Sequence, residues 1–194
     1  MYQIRIHGRG GQGVVSAAEL LSTAAFLEGA HAQAFPSFGS ERMGAPVVSY
    51  CRIDNKEIRL REPIAEPDVI IIQDPTLLRS VDVFSGLKPD GYLLINSAKG
   101  CVALGIEELA RRLPDGHYGE VAATELAMKI VGRAVPNVPL LGGFAAMTRL
   151  ISLASVEAAV KDKFSGKVGE ANVQAARAAY QEMQERLAKE TKTC

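Results

Sequence analysis

The sequence has no tryptophan, and three cysteines and three histidines are scattered through its 194 residues. The cysteines are Cys51, Cys101 and Cys194, and no two of them form a CxxC pair. A four-cysteine iron–sulfur cluster or a typical structural zinc needs closely spaced ligands. We therefore expect the chain to hold no metal and no cluster by itself.

Neither sign of charge prevails, because 22 Lys and Arg residues balance 22 Asp and Glu residues. Without a basic field, nucleic acid is not an expected partner. No segment approaches the ~20 apolar residues that a membrane span needs. The first ten residues, MYQIRIHGRG, lack the apolar stretch of a secretory signal. We expect a cytoplasmic chain with no membrane span.

Strand-like and helical patterns alternate over the first part of the chain. Tyr2–His7 predicts a strand and Val14–Glu28 a helix, and the apolar runs in Asp68–Gln73 and Tyr92–Ile95 predict buried strands. After Thr124 the patterns are helical. The predicted fold is α/β: a three-layer α/β/α arrangement with a mixed, mostly parallel sheet and a C-terminal helical extension. We expect one domain over residues 1–194, with a mixed core over about 1–124 and a mostly helical part over about 125–190.

Local signals predict a hairpin and two helix starts. Val47–Ile53 and Lys56–Leu60 flank Asp54-Asn55 and predict two antiparallel strands. Asp74 followed by proline is typical of a helix N-terminus. Ser155 is predicted to cap a helix that ends at Phe164.

A glycine-rich turn lies between the first predicted strand and helix. Its residues are Gly8, Arg9, Gly10, Gly11, Gln12 and Gly13, in the pattern G-x-G-x-x-G. Such a turn lets a phosphate approach the free N–H groups of a helix N-terminus. A dinucleotide site also needs an acidic residue about 20 residues further on, and His31–Phe35 has none. Three interpretations stay open: a phosphate-bearing ligand shared with a partner, NAD or FAD held alone, and a tight turn that binds nothing.

The segment Ser37–Pro46 is a predicted loop with an acid and a base side by side. Ser40, Glu41, Arg42 and Gly44 are candidate binding residues, because loops after strands collect ligand and partner contacts. Arg42 suits a phosphate or a carboxylate. An ordinary surface ion pair with Glu41 is the alternative.

Three further polar or reactive residues have a structural and a functional interpretation. Cys51 falls in a strand-like run and is expected to be a small core residue. His7 ends the first strand and is either a hydrogen-bonded structural histidine or a donor to a phosphate. Asn96 ends a buried strand and serves either a turn or a ligand.

Five segments carry a family resemblance: GRGGQG, AFPSFGSERMGAPVVSYCRI and the later PDVIIIQDP, GYLLIN and ATELAMKIVGRAVPNVPLLGGFAA. They resemble the gamma subunits of pyruvate:ferredoxin oxidoreductase and other 2-oxoacid:acceptor oxidoreductases. The resemblance covers roughly residues 1–180. It implies a complex with thiamine diphosphate, Mg²⁺ and [4Fe–4S] clusters that decarboxylates a 2-oxoacid and passes the acyl group to coenzyme A. Electrons would leave to ferredoxin or another acceptor.

The same resemblance gives this chain a supporting role. It implies thiamine-binding alpha- and beta-type subunits and a ferredoxin-like cluster subunit as partners. The glycine-rich turn and residues 40–44 would lie at the subunit junction and help frame the coenzyme A region, with no catalytic residue from this chain. Two other functions stay open: a stand-alone nucleotide-binding, Rossmann-like dehydrogenase or regulator, and a purely structural assembly module.

Overall fold

The computed structural model describes residues 1–37 and 43–189, whose strands form one six-stranded sheet in the order β2-β3-β1-β4-β5-β6. The strands are β1 (Tyr2–Arg9), β2 (His31–Pro36), β3 (Pro46–Asp54), β4 (Val69–Ile72), β5 (Tyr92–Asn96) and β6 (Tyr118–Val121). Strand β3 runs antiparallel to both of its neighbours, and the other pairs are parallel. The predicted mixed, mostly parallel sheet is confirmed.

Helices cover both faces of the sheet, so the predicted three-layer arrangement and the C-terminal helical extension are confirmed. The helices are α1 (Val14–Leu27), α2 (Cys101–Leu104), α3 (Glu107–Arg112), α4 (Ala123–Ile130), α5 (Asn137–Thr148), α6 (Leu153–Lys163) and α7 (Gly166–Lys189), with a 3₁₀ helix at Pro75–Arg79. Helices α1 and α4–α7 pack on one face, and α2, α3 and the 3₁₀ helix pack on the other. No helix in the described ranges is both long and apolar enough to cross a membrane.

Alternation along the strands divides the apolar side chains between two cores. In β4, for example, Val69 and Ile71 pack with the helices of the first face, while Ile70 and Ile72 pack on the second. Helix α5 is buried along nearly all of its length, because α7 covers the side that turns away from the sheet. The all-round apolar sequence of α5 follows from this central position.

The predicted hairpin around Asp54-Asn55 is wrong. Lys56–Leu60 forms no strand, and β3 pairs instead with β1 on one side and β2 on the other. Ile53, for instance, lies opposite Tyr2 in β1 and Ala32 in β2. Both edges of β3 are therefore occupied, and a strand that follows it directly has no edge to join.

Two buried arginines hold the irregular segment that replaces the hairpin. Arg52 donates hydrogen bonds to the carbonyl oxygens of Leu60 (3.3 Å) and Glu62 (2.7 Å). Arg5 donates to the carbonyl oxygens of Ile64 (3.3 Å) and Val83 (3.1 Å). These guanidinium groups supply donors to backbone carbonyl oxygens that have no partner in a strand.

Two further elements differ from the sequence-based expectation. Strand β6 was not predicted, and it pairs in parallel with β5 at the edge of the sheet. The cap of α6 is Ser152 and not Ser155: the Ser152 hydroxyl accepts a hydrogen bond from the Ser155 amide at 3.1 Å. Ser155 lies inside the first turn, where its own hydroxyl donates to the Ser152 carbonyl oxygen. The prediction for Asp74 is confirmed, although the helix that it caps is a 3₁₀ helix.

Candidate ligand site at the carboxyl edge of the sheet

The glycine-rich turn connects the carboxyl end of β1 to the start of α1. From β1 the chain passes through α1 to β2 on one side of the sheet, while β4 flanks β1 on the other side. The carboxyl ends of β1 and β4 therefore meet where the direction of the connections changes. Open α/β sheets bind their ligands in the crevice at such a point.

Two glycines of the turn have backbone angles that disfavour a side chain. Gly11 has φ of 95° and Gly13 has φ of 74°. A Cβ on Gly13 would also lie 2.5 Å from the Asn137 side-chain nitrogen at the start of α5. Only glycine combines this left-handed conformation with this close approach, so the turn brings the N-termini of α1 and α5 together.

The N-terminus of α1 has no side-chain cap and no acidic residue in its first turn. The first N–H groups of a helix have no partner inside the helix, and together with the helix dipole they favour a negative charge. An anion placed at the turn would complete their hydrogen bonding. This geometry suits a phosphate or a carboxylate.

The side chains of the turn bind each other and the start of the 3₁₀ helix. The Gln12 amide accepts a hydrogen bond from the Arg9 backbone N–H and donates one to the Asp74 carboxylate, both at 2.8 Å. Arg9 forms an ion pair with Asp74 at 3.2 Å and donates to the Thr76 hydroxyl. Although burial opposes ionisation, hydrogen bonds from Thr76 and Gln12 and the nearby Arg9 charge lower the pKa of Asp74 below its usual value.

The turn also contacts the end of the second candidate segment. The Gly44 N–H donates to the Gly10 carbonyl oxygen, the Gly10 N–H donates to the Ala45 carbonyl oxygen, and Arg9 donates to the Gly44 carbonyl oxygen at 3.0 Å. The structure thus brings Gly8–Gly13 and Gly44 into one neighbourhood. The other candidates of that segment, Ser40, Glu41 and Arg42, lie outside the described residues.

His7 has a structural partner directly below the turn. Its Nε2 atom accepts a hydrogen bond from Arg5 Nε at 3.0 Å, and the side chain is 4% exposed. Burial and the Arg5 charge lower the pKa of His7 to about 4. His7 is therefore neutral near pH 7, which favours the structural interpretation over a charged phosphate donor.

Sequence reasoning missed Gln73, which directly follows β4 at the same edge. Its side chain is fully buried, and both polar atoms of its amide lack a hydrogen-bond partner among the described residues. Buried polar groups are nearly always paired, so Gln73 is an unusual feature of this edge. The available signal was a polar residue placed immediately after the apolar run Val69–Ile72.

The described residues contain no metal-binding cluster, and Cys51 and Asn96 have structural surroundings. No group of three or more His, Cys, Asp or Glu side chains there could hold a metal ion. Cys51 is buried and free, and burial raises the pKa of its thiol, so it is a core residue as expected. Asn96 holds the start of α4, because its side-chain oxygen accepts from the Thr124 N–H.

The sheet order bears on the dinucleotide interpretation. In the dinucleotide-binding fold the second strand lies beside the first and ends with the carboxylate that holds the ribose. Here β3 separates β2 from β1, and β2 contains no acidic residue. The glycine-rich turn is therefore present without the acidic residue that would hold a ribose, which disfavours the dinucleotide interpretation.

The described residues define an α/β protein with a glycine-rich turn between β1 and α1. The chain belongs to the pyruvate ferredoxin/flavodoxin oxidoreductase family, whose model matches residues 3–182. It is a gamma-type member. It is 48% identical over 181 residues to the common gamma subunit of the pyruvate/ketoisovalerate oxidoreductases of Pyrococcus furiosus, covering 93% of this chain and 96% of that subunit.

Solved structures show the same fold. The pyruvate oxidoreductase subunit PORC of Thermotoga maritima superposes with a TM-score of 0.76 at 35% identity, over 93% of this chain and 95% of that subunit. The 2-oxoglutarate:ferredoxin oxidoreductase of Magnetococcus marinus, solved with 2-oxoglutarate, coenzyme A and succinyl-CoA bound, has a TM-score of 0.76 at 17% identity. That match covers 97% of this chain and 32% of the longer one, and at this identity it shows the fold alone.

Proposed function

We propose that this chain is the gamma subunit of a thiamine diphosphate- and iron–sulfur-dependent 2-oxoacid:acceptor oxidoreductase, that it packs against the thiamine-binding subunits, and that it helps frame the coenzyme A site. One observation supports the last step most directly: the uncapped N-terminus of α1 follows a turn in which Gly13 cannot carry a side chain. That turn lies at the switch point of the sheet. Coenzyme A carries phosphates that suit such a turn.

The chemistry in this proposal belongs to groups held by the partner subunits. Thiamine diphosphate with Mg²⁺ would decarboxylate the 2-oxoacid, [4Fe–4S] clusters in the complex would carry the electrons to ferredoxin or another acceptor, and coenzyme A would receive the acyl group. This chain would contribute positioning, which is the usual contribution of a protein to cofactor chemistry. Its partners would be alpha- and beta-type subunits and a ferredoxin-like cluster subunit, in the cytoplasm.

We propose that the other subunits of the complex select the 2-oxoacid. The Pyrococcus furiosus relative is named as a subunit common to pyruvate and ketoisovalerate oxidoreductases. A gamma subunit that serves two substrates of different size does not itself select between them. We extend that reasoning to this chain, which we propose to act as one domain over residues 1–194.

The test uses the complete complex, purified with this chain and its co-purifying partners. The Gly11→Ala and Arg42→Gln complexes should keep their composition, while the apparent KM for coenzyme A rises and the KM for the 2-oxoacid stays the same. Gly11 needs a positive φ, and Arg42 is a candidate anion ligand by sequence. The Gly100→Ala complex is the control, because Gly100 has φ of −62° and open space around its Cβ position.

The second candidate function is a purely structural assembly module. It is supported by the Gln12 side chain, which already binds Arg9 and Asp74 within the chain and so has a structural role without a ligand. If both variants assemble and keep the wild-type KM for coenzyme A, the turn serves packing alone and the coenzyme A assignment is wrong. If the isolated chain oxidises a 2-oxoacid without partners, the subunit assignment itself is wrong.

A further inference from the structure

A separate cleft of about 490 Å³ opens at the carboxyl ends of β4 and β5. The 3₁₀ helix, the loop after β5, helix α2 and the first turn of α4 line it, and none of its described lining residues belongs to Gly8–Gly13. It borders the glycine-rich turn through Thr76, whose hydroxyl accepts from Arg9. Its volume lies within the range of small-molecule sites, roughly 300–1,000 Å³.

Part of the cleft's lining is apolar. Leu78, Leu104, Ala98 and Ala103 contribute to its lining. Leu78 and Leu104 are half-buried, so each presents part of its side chain to the cleft and part to the core beneath. A ligand that placed an aliphatic body against these side chains would remove their exposed area from water.

The lining also includes two cations that have no acidic partner among the described residues. Arg79 and Lys99 line the cleft, and neither forms an ion pair with a carboxylate among the described residues. Several other basic side chains do have one, as Arg9 has Asp74 and Lys88 has Asp68. Glu125 is the one acidic residue among the described lining residues, so the formal charges of the lining sum to +1.

The polar floor of the cleft is fixed in place. Asn96, which is 7% exposed, donates to the Gln73 carbonyl oxygen at 2.7 Å and to the Thr124 hydroxyl oxygen at 2.8 Å. Its own side-chain oxygen accepts from the Thr124 N–H at 3.1 Å. Because the Thr124 oxygen already accepts from Asn96, its hydroxyl proton is directed away and can be donated to a ligand.

We propose that this cleft binds a small organic carboxylate, with the carboxylate between Arg79 and Lys99 and a short apolar body against Leu78 and Leu104. The anionic group of the ligand is inferred from the formal charge of the lining. A charge of +1 is balanced by one carboxylate and not by a doubly charged phosphate. The apolar body of the ligand is inferred from the leucine side chains in the lining. The site is distinct from the glycine-rich turn that it borders, because none of the described lining residues belongs to Gly8–Gly13.

Titration calorimetry on the purified full-length chain tests this site with hexanoate, neutral hexanamide, inorganic phosphate and coenzyme A. Hexanoate should bind saturably, and hexanamide and phosphate about tenfold or more weakly, because a charge-assisted hydrogen bond is worth at least that factor. Coenzyme A should not displace hexanoate. The Arg79→Gln/Lys99→Gln double variant should lose at least about tenfold in hexanoate affinity.

Lys167→Gln removes an exposed cation of α7 and is the control for the loss of a surface charge away from the cleft, with affinity unchanged. Both variants change surface side chains, and equal melting temperatures would exclude unfolding as the cause of lost binding. The assignment is overturned if hexanoate shows no saturable binding, if hexanamide or phosphate binds as tightly, if the double variant binds like the control, or if coenzyme A competes. These outcomes leave the subunit assignment untouched, since that depends on the composition of the complex.

Discussion

The two faces of the sheet are stabilised by different means at the strands β1 and β3. On the first face, Ile4 and Cys51 pack among the apolar side chains of the helices. On the second face, Arg5, His7 and Arg52 are buried and bind backbone carbonyl oxygens or each other. One face therefore depends on close packing, and the other depends on hydrogen bonds that involve charge. The two should respond differently to volume changes and to pH.

The first face should be the more sensitive to added volume, and Gly142→Ala should have the largest effect. Gly142 of α5 packs so closely against α7 that an added Cβ would fall on the Ala176 carbonyl oxygen. Alanine normally favours a helix over glycine by about 1 kcal/mol. Overpacking against backbone should exceed that gain and lower the free energy of unfolding by ~3 kcal/mol. Urea unfolding measures the loss.

Gly100→Ala is the control for that substitution, because nothing lies within 4 Å of its Cβ position. Its unfolding free energy should stay within about 0.5 kcal/mol of the wild type. The loss in Gly142→Ala should be the same at pH 8 and pH 5, since no titratable group takes part. A loss below about 1 kcal/mol would mean that α5 and α7 separate easily.

The second face should be the one that responds to acid. The pKa of His7 falls to about 4 in the folded chain because of burial and Arg5, against 6.5 in the unfolded chain. The unfolded state therefore binds the proton first, and stability that is present above pH 6.5 is lost as the pH falls toward 4. The loss should reach roughly 2–3 kcal/mol at pH 4, at about 1.4 kcal/mol for each pKa unit.

The His7→Gln variant isolates this contribution. Glutamine offers Arg5 a neutral acceptor that does not titrate, so the difference in unfolding free energy between wild type and variant should shrink between pH 7 and pH 4. Subtraction also removes the acid sensitivity of other groups such as Asp74, whose lowered pKa acts in both proteins. If the two pH profiles run parallel, the neutral buried state of His7 is contradicted.

The faces meet at the glycine-rich turn, where Gln12→Ala should have an intermediate effect. The variant loses one hydrogen bond to the Arg9 backbone and one to the Asp74 carboxylate. We expect a loss of about 1–2 kcal/mol in unfolding free energy, since the Asp74 bond is charge-assisted. Gln174→Ala, on the exposed side of α7, should be neutral. Equal stabilities for the two variants would show that water replaces Gln12 without loss.

The sequence was sufficient for the parts of the fold that local patterns determine. The glycine-rich turn, the buried run at β4 and the cap at Asp74 each depend on a few adjacent residues. It was insufficient where distant residues compete: whether Lys56–Leu60 forms a strand depends on β1 and β2 already holding both edges of β3. The cleft joins Arg79, Lys99 and Thr124 from three segments, and no local spacing predicts it.

The correction at α6 gives the smallest effect and tests a local pattern against the structure. Ser152 caps the helix, and its amide also donates to the Glu28 carboxylate at the end of α1 at 2.6 Å. Replacing a serine cap with alanine costs about 1 kcal/mol, so Ser152→Ala should lower the unfolding free energy by that amount. Ser155→Ala removes a hydroxyl that donates to the Ser152 carbonyl oxygen at 2.9 Å and accepts from the Ser152 hydroxyl at 3.3 Å, both neutral hydrogen bonds within the first turn.

Ser155→Ala should therefore cost less, about 0.5 kcal/mol, because alanine also favours the helix interior. The reverse ranking in chemical denaturation would restore the sequence-based prediction of Ser155 as the cap. Since α6 packs on α1 and α7, a helix that begins three residues later would also release Glu28 from the Ser152 amide. The ranking of the two serines thus shows which residue begins α6 and whether that end of the helix is bonded to Glu28 at the end of α1.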